Sequence, residues 1–385
     1  MVKKDVNETG AGIPVFKPTL TKDEYAACKK VLDVGWLGMG SFVGGFEDRL
    51  HDFLGLGNDR FLVAVSTGYS ALHLGLLLAG VGEGDEVITP SFNNIADFQA
   101  ILAAGATPVF CDIRDDNLCI DMVKAEKLVS KKTKAIIIMD YDCMLCDYDA
   151  VSAFAKKHKL RVIHDAAHVF GSTYKGKKIG SFSDIAMFSF DAVKTVTCID
   201  GGAIIVKSKK ERDLLHEMRL VGMGQKATVM YKNQRAWTYD VKRMGFRYHL
   251  ANLHGAVGLA QMHRIEGIVK TRREVCKRYN AAFSGLPGVR VPHTDFEGIS
   301  PFLYYLRVDK KIRTDLREHL QKLGVDTGIH WTPGHKFTLF KKFRKGDMTV
   351  TDRVYDEIFD IPLHSFMNEK DVNRVIAGVQ SFFKK

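Results

Sequence analysis

The feature that most constrains the fold is a repeated alternation of short apolar runs with helical patterns of about ten residues. The apolar runs cover residues 61–65, 86–89, 108–111, 134–139 and 161–164. Helical patterns such as those at 70–80 and 95–104 separate them. Short apolar strands that alternate with helices are typical of a mainly parallel sheet covered on both faces. The sequence therefore predicts an α/β fold.

Two further apolar runs, at 185–190 and 202–206, break this alternation because little separates them except the segment that holds Lys194. Lys194 is therefore predicted to lie on a strand-to-strand connection beside the core of the sheet. Near the start of the chain, Thr21 and Glu24 form a capping-box pattern, which predicts a helix that ends near Gly35.

The alternation loosens after residue 250. A long helical pattern covers residues 250–273, and irregular strands and helices follow it. No low-complexity linker separates the two parts of the chain, so we expect two closely packed lobes. The predicted division is a large α/β domain at 1–250 and a smaller α+β domain at 251–385.

The charge and hydropathy of the sequence indicate whether the protein binds nucleic acid or a membrane. Lys and Arg outnumber Asp and Glu by 56 to 45, but they do not cluster into a groove, so we expect no nucleic-acid partner. No stretch approaches the roughly 18 apolar residues that a membrane span needs. The N-terminal residues MVKKDVNETGAGIP contain no apolar leader segment. The expected location is the cytoplasm, with no membrane contact.

The seven cysteines are an odd number spread over a large chain, which predicts reduced thiols. Cys143 and Cys146 form the closest pair. A single C-x-x-C without a second pair of ligands favours packed thiols over zinc, so we expect no metal.

Asp165 and Lys194 mark the candidate site. The segment VIHDAAH at 162–168 places Asp165 at the carboxyl end of a buried strand, the edge where open α/β sheets bind ligands. Taken singly, Asp165 would more often cap a helix and Lys194 would more often lie on the surface. Together they fit pyridoxal-5′-phosphate (PLP), which needs a desolvated lysine for a Schiff base and a carboxylate that keeps the pyridine nitrogen protonated.

A strand-to-helix turn at 66–72 provides the third part of the predicted site, a phosphate-binding turn. Backbone N–H groups at a helix N-terminus bind anions, and Gly68 lets a ligand approach the main chain. The turn, Asp165 and Lys194 occur in the order expected of a PLP site.

With these residues in place, the sequence resembles the DegT/DnrJ/EryC1/StrS sugar aminotransferases, within the aspartate-aminotransferase-like (type I) PLP fold. The matching segments are GWL at 35–37, SALHL at 70–74, GDEVI at 84–88, AGA at 104–106, VIHDAAH at 162–168, SF at 189–190, GGA at 201–203, GAVGLAQ at 255–261, HWTPGH at 330–335 and PLH at 362–364. The resemblance implies a mainly parallel seven-stranded sheet in the large domain.

The resemblance also implies a role for each matching residue. Lys194 forms the Schiff base with PLP, and Asp165 bonds the ring nitrogen. His168 lies near the ring hydroxyl, where family members usually have glutamine. The other implied contacts are with the phosphate for Gly68, Tyr69 and Ser189, and with the substrate for Trp36 and His330.

The sequence departs from the family around the ring and the phosphate. The aromatic residue that commonly stacks on the ring matches Asn94, so stacking is either absent or supplied by Phe92. Arg247, in GFRYH at 245–249, replaces an asparagine that reaches the phosphate of the partner subunit's cofactor. Arg247 either contacts that phosphate with a positive charge, which asparagine lacks, or pairs with an acidic neighbour in its own chain.

Three more departures adjoin the site and are expected to shape the substrate pocket: Asp191, Ile199 and Asp200. Because of these differences, the known substrates of relatives are a weaker guide to the substrate of this chain.

The implied reaction is a ping-pong transamination by a homodimer with active sites at the subunit interface. An amino acid, typically glutamate in the family, gives its amino group to PLP, and the amine then passes to C3 or C4 of a nucleotide-linked keto sugar. Lys194 shuttles the proton. Two alternatives stay open: a sugar dehydratase of the same family, which has histidine in place of this lysine, and a noncatalytic regulatory protein on the same fold.

Overall fold

The computed structural model describes residues 12–224, 227–235 and 237–384. The expectation that the chain begins without a leader concerns residues 1–14, of which 1–11 lie outside the described part. In the part that is described, no helix is long and apolar enough to cross a membrane.

The predicted strands are confirmed to within two residues at each end. The strands are Phe61–Val65 (β1), Glu86–Pro90 (β2), Thr107–Cys111 (β3), Thr133–Met139 (β4), Arg161–Asp165 (β5), Thr173–Tyr174 (β6), Lys177–Lys178 (β7), Ile185–Ser189 (β8), Gly202–Val206 (β9), Tyr304–Arg307 (β10) and Ile358–Ile361 (β11). Seven of them form the main sheet in the order β1-β9-β8-β5-β4-β2-β3. β9 runs antiparallel to β1 and β8, and the other neighbours are parallel.

Helices cover the sheet and build the rest of the molecule. They are Lys22–Val34 (α1), Ser41–Leu54 (α2), Gly68–Leu78 (α3), Ile95–Ala103 (α4), Met122–Glu126 (α5), Tyr148–His158 (α6), Lys209–Met218 (α7), Ala227–Met230 (α8), Asn252–Met262 (α9), Ile265–Phe283 (α10), Lys310–Lys322 (α11), Thr349–Glu357 (α12) and Glu369–Phe383 (α13). The capping box at Thr21 and Glu24 is present, and Gly35 ends α1 with a φ of 71°.

The prediction of one long helix at 250–273 is wrong. The structure has two helices, α9 and α10, separated at His263 and Arg264, and α10 continues to Phe283. The guanidinium of Arg264 bonds to Glu24 and donates to the carbonyl oxygen of Thr19 at 3.0 Å. The residue at the break is thus bonded to the N-terminal segment, and the helical period of the sequence does not reveal such long-range contacts.

The C-terminal part of the chain has its own apolar core. The antiparallel pair β10 and β11 packs with α10, α11 and α13 through buried residues such as Tyr279, Leu306, Phe359 and Val375. By contrast, α9 packs against α1 and α2. The division of the chain at residue 250 stays a prediction.

The topology places the candidate residues at one edge of the main sheet. β5 ends at Asp165 and β8 ends at Ser189, while α3 and α4 begin just after β1 and β2 end. The carboxyl ends of parallel strands share an edge, so these termini lie together.

Candidate active site

The carboxyl edge of the main sheet borders a cleft of about 330 Å³. Most of the residues predicted for the site line it: Gly68, Tyr69, Asn94, Asp165, His168, Ser189, Lys194 and His330. In the described part of the chain, Trp36 and Arg247 are not among the lining residues. The fold thus brings the predicted lysine, aspartate and phosphate turn to one cavity.

Lys194 lies on the connection between β8 and β9, as predicted, and its side chain is half-buried in the cleft. Burial lowers the pKa of Lys194 to about 8, although the nearby carboxyl groups of Asp165, Asp191 and Asp142 oppose this shift. A neutral amine is the nucleophilic form of lysine. Lys194 can therefore react with a carbonyl near neutral pH.

Asp165 is the last residue of β5 and is only 4% exposed. Its Oδ1 accepts a hydrogen bond from the backbone N–H of Ala167 at 2.9 Å. Burial raises the pKa of Asp165, while the Ala167 N–H and the Lys194 cation act to lower it. A carboxylate in this place suits a protonated ring nitrogen, which would neutralise its charge in the cavity.

The turn before α3 has the features of a phosphate site. Thr67 caps the helix, and its Oγ1 accepts from the backbone N–H of Ser70 at 2.9 Å. Among the described residues, the backbone N–H groups of Gly68 and Tyr69 have no acceptor, so they are free to bind an anion.

Glycines let the surrounding chain approach this turn. A Cβ at Gly68 would lie 2.8 Å from the Cβ of Ser189, and a Cβ at Gly202 would lie 2.4 Å from the carbonyl oxygen of Thr67. The start of β9 therefore packs directly on the turn. The free N–H groups, Asp165 and Lys194 face one cleft, so the residues present fit the phosphate, the ring nitrogen and the aldehyde of PLP.

His168 is buried beside the cleft. Its Nδ1 accepts from the backbone N–H of Asp142 at 3.4 Å and lies 3.2 Å from Oδ1 of that residue. Burial lowers the pKa of His168 well below its usual value, and the positive charge of Lys194 acts in the same direction. A neutral ring that accepts at Nδ1 carries its proton on Nε2, so it can donate a hydrogen bond there.

Asn94 and Phe92 have different positions. Asn94 lines the cleft and caps α4, with Oδ1 accepting from the backbone N–H of Ala96 at 2.8 Å. Phe92 is fully buried and stacks on Tyr141 at 5.1 Å between ring centres, and it is not among the residues lining the cleft. The structure therefore gives no support to ring stacking by Phe92.

Aromatic residues from the C-terminal part complete the cleft wall. Phe302 and Trp331 both line it, and their ring centres lie 4.8 Å and 5.9 Å from that of His168. His330 is held by Asp360, whose Oδ2 lies 2.6 Å from Nδ1 of the imidazole. Sequence reasoning gave Phe302, Trp331 and Asp360 no role. Trp331 stood in a matching motif, whereas no local pattern marked the other two.

The remaining predicted residues fall in two groups. Asp191 and Asp200 line the cleft, whereas Ile199 is exposed and does not. Outside the cleft, the indole N–H of Trp36 donates to the Met39 carbonyl oxygen at 2.9 Å.

Arg247 is exposed and lies outside the cleft of its own chain. None of the ion pairs formed among the described residues includes it. Pairing of Arg247 with an acidic neighbour in its own chain therefore has no support in the structure.

The two cysteines of the C-x-x-C segment belong to different clusters. The Cys143 thiol lies beside that of Cys276, whereas the Cys146 thiol lies beside Cys119 and Asp140. The Asp140 carboxylate already accepts hydrogen bonds from the Cys146 N–H, the Tyr148 hydroxyl and His164 Nε2. Cys143 and Cys146 therefore share no common site.

A mainly parallel α/β sheet with this lysine, aspartate and phosphate turn at its carboxyl edge defines a PLP enzyme of fold type I. The model of the DegT/DnrJ/EryC1/StrS aminotransferase family matches residues 18–380. The chain belongs to this family and is a PLP-dependent aminotransferase.

Individual relatives cover nearly the whole chain. The spore coat polysaccharide biosynthesis protein SpsC of Bacillus subtilis (strain 168) is 33% identical over 381 residues, which are 97% of each chain. Among solved structures, the aminotransferase TlmJ from Streptoalloteichus hindustanus has a TM-score of 0.88 at 29% identity, covering 96% of this chain and 98% of its own. Helicobacter pylori PseC, an aminotransferase involved in the biosynthesis of pseudoaminic acid, has a TM-score of 0.88 at 26% identity, covering 97% and 99%.

Proposed function

We propose that this enzyme transfers an amino group from an amino acid, with glutamate as the donor, to a keto group at C3 or C4 of a nucleotide-linked deoxy sugar. The observation that carries the proposal is the convergence of Lys194, Asp165 and the turn at Gly68 on one cleft in a chain of this family. The similarity to SpsC and PseC, whose names refer to polysaccharide and pseudoaminic acid biosynthesis, supports a sugar acceptor. The cytoplasm remains the proposed location.

PLP supplies a carrier for the amino group and an electron sink for the carbanion at the donor's α carbon. Asp165 keeps the ring nitrogen protonated, and the N–H groups of Gly68 and Tyr69 bind the phosphate. Lys194 holds the cofactor through its side-chain nitrogen, and after release that nitrogen moves the proton from the donor's α carbon. A pKa of about 8 lets Lys194 both take and return this proton near neutral pH.

His168 would donate its Nε2 proton to the ring hydroxyl. Trp36 and His330 remain the proposed substrate contacts. His330 lines the cleft, and its bond to Asp360 fixes the orientation of its ring. Trp36 lies outside the cleft of its own chain, so it can contact a substrate only if that substrate extends beyond the cofactor.

We also propose that the working unit is a homodimer in which Arg247 reaches the phosphate of the partner's cofactor. Arg247 is exposed, and the segment before it presents large apolar side chains to solvent, with Trp237 88% and Met244 77% exposed. Such a concentration of exposed apolar side chains supports burial against another protein surface. The proposed surface is a second copy of this chain.

The test of the proposed reaction is a screen of nucleotide-linked amino sugars in the reverse direction. Purified enzyme is incubated with each amino sugar and 2-oxoglutarate, and glutamate formation is measured. The 3-amino and 4-amino isomers of each sugar form matched pairs. We expect glutamate from at least one nucleotide-linked sugar and none from the corresponding free sugar. Equal reaction of the free sugars would contradict the nucleotide-linked substrate.

A further inference from the structure

A second cavity, of about 690 Å³, lies on the main sheet and is separate from the active-site cleft. Its volume is within the range of sites that bind small molecules. Its floor includes Ile138 of β4 and Val162 and His164 of β5, and Ile138 is paired with His164 across the two strands. Side chains alternate along a strand, so Asp165 points to the active-site cleft instead. No described residue lines both cavities.

Three aromatic rings form one wall of this second cavity. The ring of Tyr148 in α6 contacts those of Tyr174 and Phe182, with ring centres 4.8 Å and 5.2 Å apart. Tyr174 and Phe182 are only half-buried, so part of their surface is open to the cavity. Nucleobases and other planar rings stack on aromatic side chains of this kind. This aromatic wall therefore suits a ligand with a planar ring.

The charged residues of the cavity are mostly basic. Five lysine and two aspartate side chains line it. Each aspartate is paired with one of the lysines. The side-chain nitrogen of Lys175 lies 2.5 Å from Oδ2 of Asp149, and that of Lys207 lies 2.9 Å from Oδ1 of Asp184. These two pairs leave three lysines whose charge is not balanced within the cavity.

The three remaining lysines come from two different elements. Lys156 stands in the last turn of α6, Lys159 caps that helix, and Lys177 lies on β7. All three are exposed, and none of them takes part in an ion pair with another described residue. An excess of positive charge at a concave surface attracts anions. The cavity therefore combines an aromatic wall with an anion-binding rim.

We propose that this cavity binds a nucleoside phosphate, with the base on the aromatic wall and the phosphate at the lysines of α6 and β7. Lysine binds phosphate as a point charge, and a hydrogen bond between charged groups is stronger than a neutral one. An aliphatic anion would not use the aromatic wall, and inorganic phosphate would not use the apolar floor. Because the cavity is separate from the active-site cleft, the inference does not rest on the proposed reaction.

Isothermal titration calorimetry of the PLP-loaded enzyme tests the ligand class. The probes are the 5′-monophosphates of adenosine, guanosine, cytidine and uridine, and ribose 5-phosphate is the control that lacks a base. We expect at least one nucleotide to bind with a dissociation constant below about 1 mM, and about tenfold more tightly than ribose 5-phosphate because of base stacking. Binding by none of the four nucleotides, or equal binding of ribose 5-phosphate, would overturn the proposal.

Removal of two lysine charges tests the location of the site. Lys159→Gln combined with Lys177→Gln should weaken nucleotide binding about tenfold or more. The matched control combines Lys131→Gln with Lys370→Gln, since both lysines are exposed, lie outside the cavity and change the net charge equally. The control should bind like the wild type. Unchanged binding in the Lys159 and Lys177 variant would place the nucleotide elsewhere, and equal losses in both variants would indicate attraction by net charge alone. Either result would contradict the site.

Substitution of Phe182 tests the aromatic wall. Phe182→Leu keeps an apolar side chain but removes the ring, so it should weaken nucleotide binding about fivefold or more and leave the binding of ribose 5-phosphate unchanged. Phe182→Tyr keeps the ring and is the matched control, which should bind the nucleotide like the wild type. If Phe182→Leu bound the nucleotide as tightly as Phe182→Tyr, the ring would play no part and the proposal would fail.

Discussion

The side-chain nitrogen of Lys194 lies 4.1 Å from the centre of the Phe302 ring. Lys194 stands between β8 and β9, while Phe302 precedes β10, so the contact joins the main sheet to the C-terminal part of the chain. The face of the ring attracts a cation, but the ring also excludes water from the amine. Exclusion of water prevails, since burial is the main cause of the lowered pKa of Lys194.

The first prediction concerns the attachment of PLP to cofactor-free protein. Because only the neutral amine reacts, the rate should rise with pH and level off above about 8, the pKa of Lys194. Stopped-flow absorbance in the visible range measures this rate. A rate that continues to rise steeply up to 10.5, the ordinary value for lysine, would contradict the desolvated site.

The second prediction concerns Asp165→Asn. A neutral amide cannot favour the protonated ring nitrogen as a carboxylate does, so the variant should keep some cofactor but lose most transamination. A loss of roughly 4 kcal/mol in carbanion stabilisation corresponds to about a thousandfold in kcat. Steady-state kinetics with the accepted substrate measure it. Near-normal turnover would be incompatible with the role given to Asp165.

Some parts of this site were predictable from the sequence, and others were not. Asp165 and Lys194 were found because each follows an apolar run whose end marks the carboxyl edge of the sheet. The contact of His330 with Asp360 gave no signal, since no local pattern marked Asp360. The backbone bridge between Gly328 and Asp360, which joins two distant segments, brings Asp360 to His330.

The contribution of Phe302 to the cleft wall was missed for a related reason. Phe302 lies in an irregular segment before β10, where neither the helical nor the strand period applies. The break in the predicted helix at 250–273 also gave no local signal, and Arg264 at this break bonds to a distant segment. Long-range contacts of this kind leave no local pattern.

The third prediction concerns the close approach of β9 to the phosphate turn. In Gly202→Ala, the new Cβ would lie 2.4 Å from the Thr67 carbonyl oxygen, so the turn must move. We expect a loss of about 1–3 kcal/mol in unfolding free energy, together with weaker PLP binding. Urea unfolding and PLP titration measure the two effects.

The matched control for that substitution is Gly267→Ala. Gly267 lies within α10, and an added Cβ there would have no atom within 4 Å. Alanine should stabilise this helix by about 0.5–1 kcal/mol and leave PLP binding unchanged. Equal PLP binding by the Gly202 and Gly267 variants would show that the turn tolerates the displacement.

The fourth prediction concerns contact across the proposed dimer. Arg247→Ala alone should weaken PLP retention, and Lys194→Ala alone should be inactive. In mixed dimers, one site would draw its lysine from the Arg247→Ala chain and its arginine from the Lys194→Ala chain. Activity should therefore reappear on mixing, as measured by turnover per heterodimer. Heterodimers that form but recover no activity would rule out the contact.

The central claim is that Lys194 binds the cofactor, and borohydride reduction of the PLP-loaded protein tests it most directly. Reduction makes the linkage permanent, and mass spectrometry of the digested protein then locates the modified residue. We predict a single pyridoxyl-modified peptide, with the modification on Lys194 and none in Lys194→Ala treated in the same way. Modification of a different lysine, or of the same peptide in Lys194→Ala, would contradict the claim.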